Sequence, residues 1–204
     1  METTKDRQPP ETAKKELFDL IFLKARTHSY WQPRPVPDEL LREAYELARM
    51  GPTSANTNPM RLLFIKSKEA KERLKPALSQ GNLEKTMNAP VTAIIAYDLE
   101  FYENLPRLYP HADARSWFAG NKELIEKTAF RNGTLQGAYF MIALRSLGLD
   151  LGPMSGFENA KVDAEFFPNS SIKSNFLCNI GYGDSSKLHP RSPRYEFSEI
   201  AKII

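Results

Sequence analysis

Five polar breaks interrupt an otherwise amphipathic chain of 204 residues, and each carries groups suited to gripping a ligand. The first holds Arg26, Thr27 and Ser29, and the second Pro52, Thr53, Ser54 and Asn56. The third holds Asn82 and Lys85, the fourth Pro153, Met154, Ser155 and Gly156, and the last Arg191 and Arg194. Arginine forks meet oxyanions in pairs, while hydroxyls, amides and free backbone groups suit the rim of a flat polar ring. A ligand with one anionic end and a wide polar ring would engage all five. Singly, each break is weak. Gly51 to Arg61 has the composition of an ordinary helix-to-strand loop, and Arg191 and Arg194 read alone as an exposed basic tail.

Other chemistries lack their residues. There is no GxGxxG after the first strand-like run, and no GxxxxGK[ST], HExxH or GxSxG. These absences disfavour a dinucleotide fold, a P-loop nucleotide hydrolase, a zincin and an α/β-hydrolase. Cys178 is the single cysteine and lies in an apolar run, so it reads as a buried, inert thiol. His28, His111 and His189 stand far apart without metal-ligand spacing, as surface or loop histidines do. A net charge of +3 with 28 scattered basic residues leaves no nucleic-acid footprint. No run approaches the ~20 apolar residues that a membrane helix needs. Residues 1–12 are polar, without the apolar core of a signal peptide, and are expected to be a disordered tail. A cytoplasmic protein is the expectation, with one domain over residues 13–204.

The elements that must position these groups follow from periodicity. Apolar spacing predicts helices from Ala13 to Arg26, with Leu17, Leu20 and Ile21 inward, and from Glu39 to Met50, with Asp38 as N-cap. The stripe of the second comprises Leu40, Leu41, Ala44, Leu47 and Ala48. Further helices are expected over Ser67–Leu78, Asn121–Leu147 and Val162–Phe167. In the long one, Leu124, Ala129, Leu135, Tyr139, Ile142, Ala143 and Leu147 are core candidates. Gly133 and Gly137 share a face there and admit close approach of another helix or a ligand. Continuous apolar runs at Leu62–Ile65, Val91–Ala96 and Phe176–Tyr182 predict strands covered on both faces. Tyr97 to Gly120, rich in aromatics, has no clean period and reads as a lid, a partner-binding excursion or a set of weak helices. The whole is an α+β domain with helices packed around a small mixed sheet.

Flavin mononucleotide (FMN) is a ligand of the kind the polar breaks describe. Arg26-Thr27-His28-Ser29-Tyr30-Trp31 with Pro35-Val36 resembles the opening motif of the FMN-dependent nitroreductase family. Gly51-Pro52-Thr53-Ser54-Ala55-Asn56-Thr57-Asn58-Pro59 resembles its Pro-Ser-Ser-x-Asn-x-Gln-Pro signature. Leu147 to Phe157 resembles its flavin-edge motif, and order and spacing agree for all three. Asp113–Phe118, Thr128–Asn132 and Ile180–Leu188 further resemble the branch of that family described as malonic semialdehyde reductase.

The resemblance implies an intertwined homodimer with shared sites, an FMN cofactor, and NADH or NADPH as electron donor. It implies ping-pong hydride transfer to a small organic acceptor, and from the branch, malonic semialdehyde giving 3-hydroxypropionate. By the same resemblance Arg26, Thr27, Ser29, Arg191 and Arg194 hold the phosphate. Asn82 and Lys85 meet the ribityl chain and the N1/O2 edge. Pro153, Met154, Ser155 and Gly156 line the ring, with Ser155–Gly156 backbone facing N5. Pro52, Thr53, Ser54 and Asn56 come from the other subunit. Two departures stand out: the family often has basic residues where Ala25 and Ser29 stand, and Glu where Ser155 stands. The acceptor stays open between an aldehyde and a nitroarene, quinone or activated alkene, with Arg115, Arg131 and Tyr102 as candidate substrate groups. A flavin-binding protein without turnover is the other reading.

Overall fold

The computed structural model describes residues 10–204. Most of the tail expected over 1–12 lies outside them, and Glu11 and Thr12 open the first helix, α1 (Glu11–Phe18), which runs on into a π turn at Asp19–Leu23. Then come α2 (Asp38–Ala48), β1 (Met60–Ile65), α3 (Lys68–Leu74), α4 (Gln80–Met87) and β2 (Val91–Asp98). The second half is α5 (Leu105–Leu108), α6 (Lys122–Ser146), β3 (Asp150–Met154), α7 (Asn159–Phe166), β4 (Ile172–Gly181) and α8 (Phe197–Ile200).

The strands form one sheet in the order β1-β2-β4-β3, every neighbouring pair antiparallel. The parallel component expected of a mixed sheet is confined to a bridge between Thr27 and Leu151. β3 was not foreseen as a strand because Gly152 and Pro153 break its pattern. At an edge, proline costs no ladder hydrogen bond. The alternation of side chains divides the core between two faces. Ala93, Ile95, Cys178 and Ile180 pack under α2 and α6 with Phe140 and Leu144, while Ile94 and Leu177 pack under α3 and α7 with Leu74 and Val162.

Gly133 and Gly137 of α6 do allow close approach, and what approaches is the sheet. A Cβ would meet Tyr97 Cβ at 2.8 Å from Gly133 and Phe176 Cζ at 2.9 Å from Gly137. The 97–120 stretch consists of short helical turns over its own apolar cluster, Phe101, Leu105, Ala114, Phe118 and Ala129. Several expected core residues stay on the surface of the single chain: Leu17, Leu20, Leu47, Leu124 and Leu135 are 37–50% exposed. Asp38 is not an N-cap. Pro37 holds that position, and Asp38 pairs with Lys66 from the first turn.

Candidate functional site

The Thr27–Gln32 segment is laid along the free edge of β3 and the end of β4. His28 N–H donates to the Leu151 carbonyl at 2.8 Å, and Gln32 N–H to that of Tyr182 at 2.8 Å. The fit requires glycine: a Cβ on Gly152 would stand 2.5 Å from the His28 carbonyl oxygen. His28 is therefore a loop histidine, as one of the two expected settings had it, but a buried one. This docking leaves Arg26 at one end of the segment and Ser29 at the other.

The C-terminal arm folds back onto the same place. Arg26 Nη2 donates to the His189 carbonyl, and Arg191 Nη2 donates to the carbonyls of Leu23 and Ala25, both at 2.9 Å. Between arm and segment lies a pocket of about 500 Å³ lined by Arg26, Thr27, Arg145, Arg191 and Arg194, with no carboxylate in its wall. Arg145 was not foreseen. It projects from the last turn of α6, donates to the Ile21 carbonyl at 3.1 Å, and keeps its Nε–H buried without a partner. Burial depresses its basicity, with the neighbouring Arg191 adding to the effect. Its only trace in the sequence is a lone charge among apolar residues from Phe140 to Leu147.

His189 joins that pocket to a second, of about 570 Å³, containing Ser29 and Lys85. Asn82 and Lys85 are not in a loop, as their polar neighbourhood implied, but three residues apart on one face of α4. The end of this helix is tied down firmly. The Lys85 carbonyl accepts from Trp31 Nε1 at 3.1 Å and Asn179 Nδ2 at 3.2 Å. The Thr86 carbonyl accepts from the buried Lys71 at 2.6 Å. The start of α4 grips the last break: Asn82 Nδ2 and Ser79 N–H both donate to the Gly156 carbonyl, at 2.8 and 3.1 Å. Met154, at the end of β3, packs here through an Sδ contact with Thr86 Oγ1 at 3.4 Å, while Pro153 is half-buried and Ser155 exposed.

Thus Arg26, Thr27, Ser29, Asn82, Lys85, Pro153 to Gly156, Arg191 and Arg194 assemble along the β3 edge. Pro52, Thr53, Ser54 and Asn56 do not join them. They precede β1, the opposite edge strand, three strand spacings or about 14 Å away in the sheet. α6 holds that loop. Asn132 Oδ1 accepts from Ser54 N–H at 2.9 Å, Gln136 Nε2 donates to Asn58 Oδ1 at 3.0 Å, and Tyr139 OH donates to the Pro52 carbonyl at 3.4 Å. Of the candidate substrate groups, Arg115 is forked onto Glu103 at 2.7 and 2.8 Å, so it serves an ion pair. Cys178 is fully buried and its thiol is pushed up to about 12, inert as expected.

A helix-wrapped antiparallel sheet with an arginine-lined pocket on one edge and a stiff polar loop on the other defines the class of α+β protein. The chain belongs to the nitroreductase family, whose model matches residues 23–182. A Burkholderia lata protein with the provisional name NADH dehydrogenase/NAD(P)H nitroreductase is 63% identical over 186 residues, 91% of this chain and 95% of that one. The fold recurs in a provisionally named nitroreductase of Bacillus subtilis, with a TM-score of 0.85 at 20% identity, covering 96% of this chain and all of that one. It recurs also in one from Exiguobacterium sibiricum solved with FMN, with a TM-score of 0.80 at 18% identity, covering 92% and 97%. No helix among the described residues is long and apolar enough to cross a membrane.

Proposed function

We propose that the protein is an FMN oxidoreductase of the cytoplasm, a homodimer with shared sites, that uses NADH or NADPH to reduce a small organic acceptor. Malonic semialdehyde, reduced to 3-hydroxypropionate, is the acceptor we favour. The observation that carries the reading is the pocket of four arginines without a carboxylate, which shares His189 with the pocket that holds Ser29 and Lys85. Such a pocket fits a phosphate dianion: guanidinium forks pair with its oxygens, and the buried, unpartnered Nε–H of Arg145 lacks an acceptor. The relatives' names agree with the reading, since one denotes an NAD(P)H nitroreductase and one neighbour was solved with FMN.

In this reading Arg26, Arg145, Arg191 and Arg194 hold the phosphate, with Thr27 and Ser29 adding hydroxyls. Bound there, FMN supplies hydride chemistry, accepting from the nicotinamide and giving to the acceptor in separate half-reactions. Lys85 sets a fixed cation where negative charge develops, an arrangement that needs no reorganisation during the reaction. Asn82 holds the Gly156 carbonyl, which orients the Ser155–Gly156 backbone toward the ring edge. Pro52, Thr53, Ser54 and Asn56 border the partner's ring.

Purified protein should be yellow, with flavin absorbance that bleaches on adding NADH or NADPH. A colourless protein that FMN cannot reconstitute would sink the proposal. Malonic semialdehyde, a nitroarene and a quinone assayed side by side decide the acceptor. If the aldehyde turns over orders of magnitude more slowly, the aldehyde assignment fails and broad nitroreductase or quinone reduction replaces it.

A further inference from the structure

A second basic cavity lies on the loop side of the molecule, and of its lining only Asn56 has a place in the function just proposed. It holds about 480 Å³ between the end of α2, the Asn56–Arg61 stretch, and α5 with the turn that leads into it. Three guanidiniums line it, those of Arg49, Arg61 and Arg107, and no carboxylate does. Arg49 is partly neutralised by Glu46 at 3.1 Å and Arg61 by Asp98 at 2.5 Å, both acids lying outside the lining. Arg107 takes part in no ion pair among the described residues. Asn104, three residues before it on the same side of the turn, lines the same space. Thr57, also in the lining, is 1% exposed, and its hydroxyl has no hydrogen-bond partner.

We propose that this cavity binds the carboxylate of a small organic anion, and that this anion is the acceptor. One fork, that of Arg107, is left to pair, which matches a single carboxylate. A phosphate dianion asks for more positive charge and finds it at the pocket of four arginines. Arg61, fixed by Asp98 and by the carbonyls of Asn58 and Met60, adds a rigid positive field behind Arg107. Asn104 and Thr57 offer polar groups that no protein atom engages. Asn56 belongs both to this cavity and to the loop assigned to the partner's ring, so the inference rests on the proposed function where it names the acceptor. Arg107 takes the role for which Arg115, consumed by Glu103, was one of three candidates.

The test is calorimetric titration of malonate into FMN-loaded protein, with flavin absorbance read on the same sample. Malonate should bind, the uncharged malonamide should not, and affinity should fall about tenfold or more in Arg107→Gln, the loss of a charged hydrogen-bonded pair. Arg107→Lys should recover part of it. In Arg107→Gln the ratio of KM for a carboxylate-bearing acceptor to KM for an uncharged quinone should rise by a similar factor. Equal malonate affinity in Arg107→Gln, binding of malonamide as tight as malonate, or inorganic phosphate displacing malonate overturns the proposal. Should the protein carry no flavin, the cofactor assignment falls, and the malonate titration of the two proteins still decides the cavity.

Discussion

At Gln136 one buried amide does two jobs. Its Oε1 accepts from Met60 N–H at 2.9 Å and its Nε2 donates to Asn58 Oδ1, setting the exit of the polar loop. The loop needs holding, because Ala55, Asn56 and Asn58 sit at φ of 46°, 51° and 42°. The left-handed region costs a residue with a Cβ roughly 1–2 kcal/mol, less for asparagine. Gln136→Leu strands both partners, so a destabilisation of ~1–3 kcal/mol is expected in urea unfolding. FMN affinity should fall with it if the loop borders the partner's ring. Retained affinity would separate loop geometry from cofactor binding. In sequence, Asn132 and Gln136 are two more polar residues on a long helix, and their i, i+4 spacing marks a shared face. Nothing local says that the face points at a loop nearly eighty residues earlier.

At the scale of elements, α4 is the part whose position matters most and whose existence was least visible. Its sequence, Gln-Gly-Asn-Leu-Glu-Lys-Thr-Met, has a weak apolar stripe and a glycine, so periodicity did not mark it. Tertiary contacts fix it: Asn179, Trp31 and Lys71 hold its last carbonyls. Lys71 has no carboxylate partner, donating only to Thr86 O and Thr92 Oγ1, and burial pulls it from its ordinary 10.5 down to about 8. Below pH 8 folded and unfolded chains are both protonated, and the fold bears the full cost of the buried charge. Between pH 8 and 10.5 the unfolded chain binds more protons, so stability from this group rises with pH. Relative to Lys71→Met, wild type should gain on the order of 3 kcal/mol across that interval. A difference in urea midpoints that stays flat with pH would mean Lys71 titrates normally. In α6, Gly137→Ala places a methyl against Phe176 and Ile95 and should cost ~1–3 kcal/mol, read as a lower Tm.

At the scale of the whole molecule, a single chain leaves Leu47 50%, Met50 77%, Phe22 55% and Phe130 52% exposed, and the tail residues Phe197, Ile200 and Ile203 64–87%. Apolar surface of that extent is what the proposed homodimer would cover. With the loop and the arginine pocket on opposite sheet edges, two copies related by a two-fold axis and packed face to face would, in the proposed reading, bring each loop to the other copy's pocket. Light scattering should give a dimer mass. Co-expressed Arg26→Ala and Asn56→Ala chains, each weak in FMN binding alone, should together form mixed dimers with one intact site and regain activity. Absence of rescue, with mixed dimers present, would place all site residues in one subunit.

Local pattern determined a good deal by itself. Apolar periodicity located α2, α6, β1, β2 and β4 to within a few residues, because burying one face of an element is a property of its own side chains. The motifs at Arg26–Ser29, Gly51–Pro59 and Leu147–Phe157 carried the family, because glycine, proline and small polar residues are dictated by close backbone approach. Tertiary structure alone decided the rest. It made Pro153 part of an edge strand, brought Arg145 to the pocket of Arg26, Arg191 and Arg194, set Asn132 and Gln136 under the loop, and gathered Arg49, Arg61 and Arg107 around one cavity. A buried amide or guanidinium takes its partner from whatever backbone the fold brings near, and that choice leaves no periodic trace in the chain.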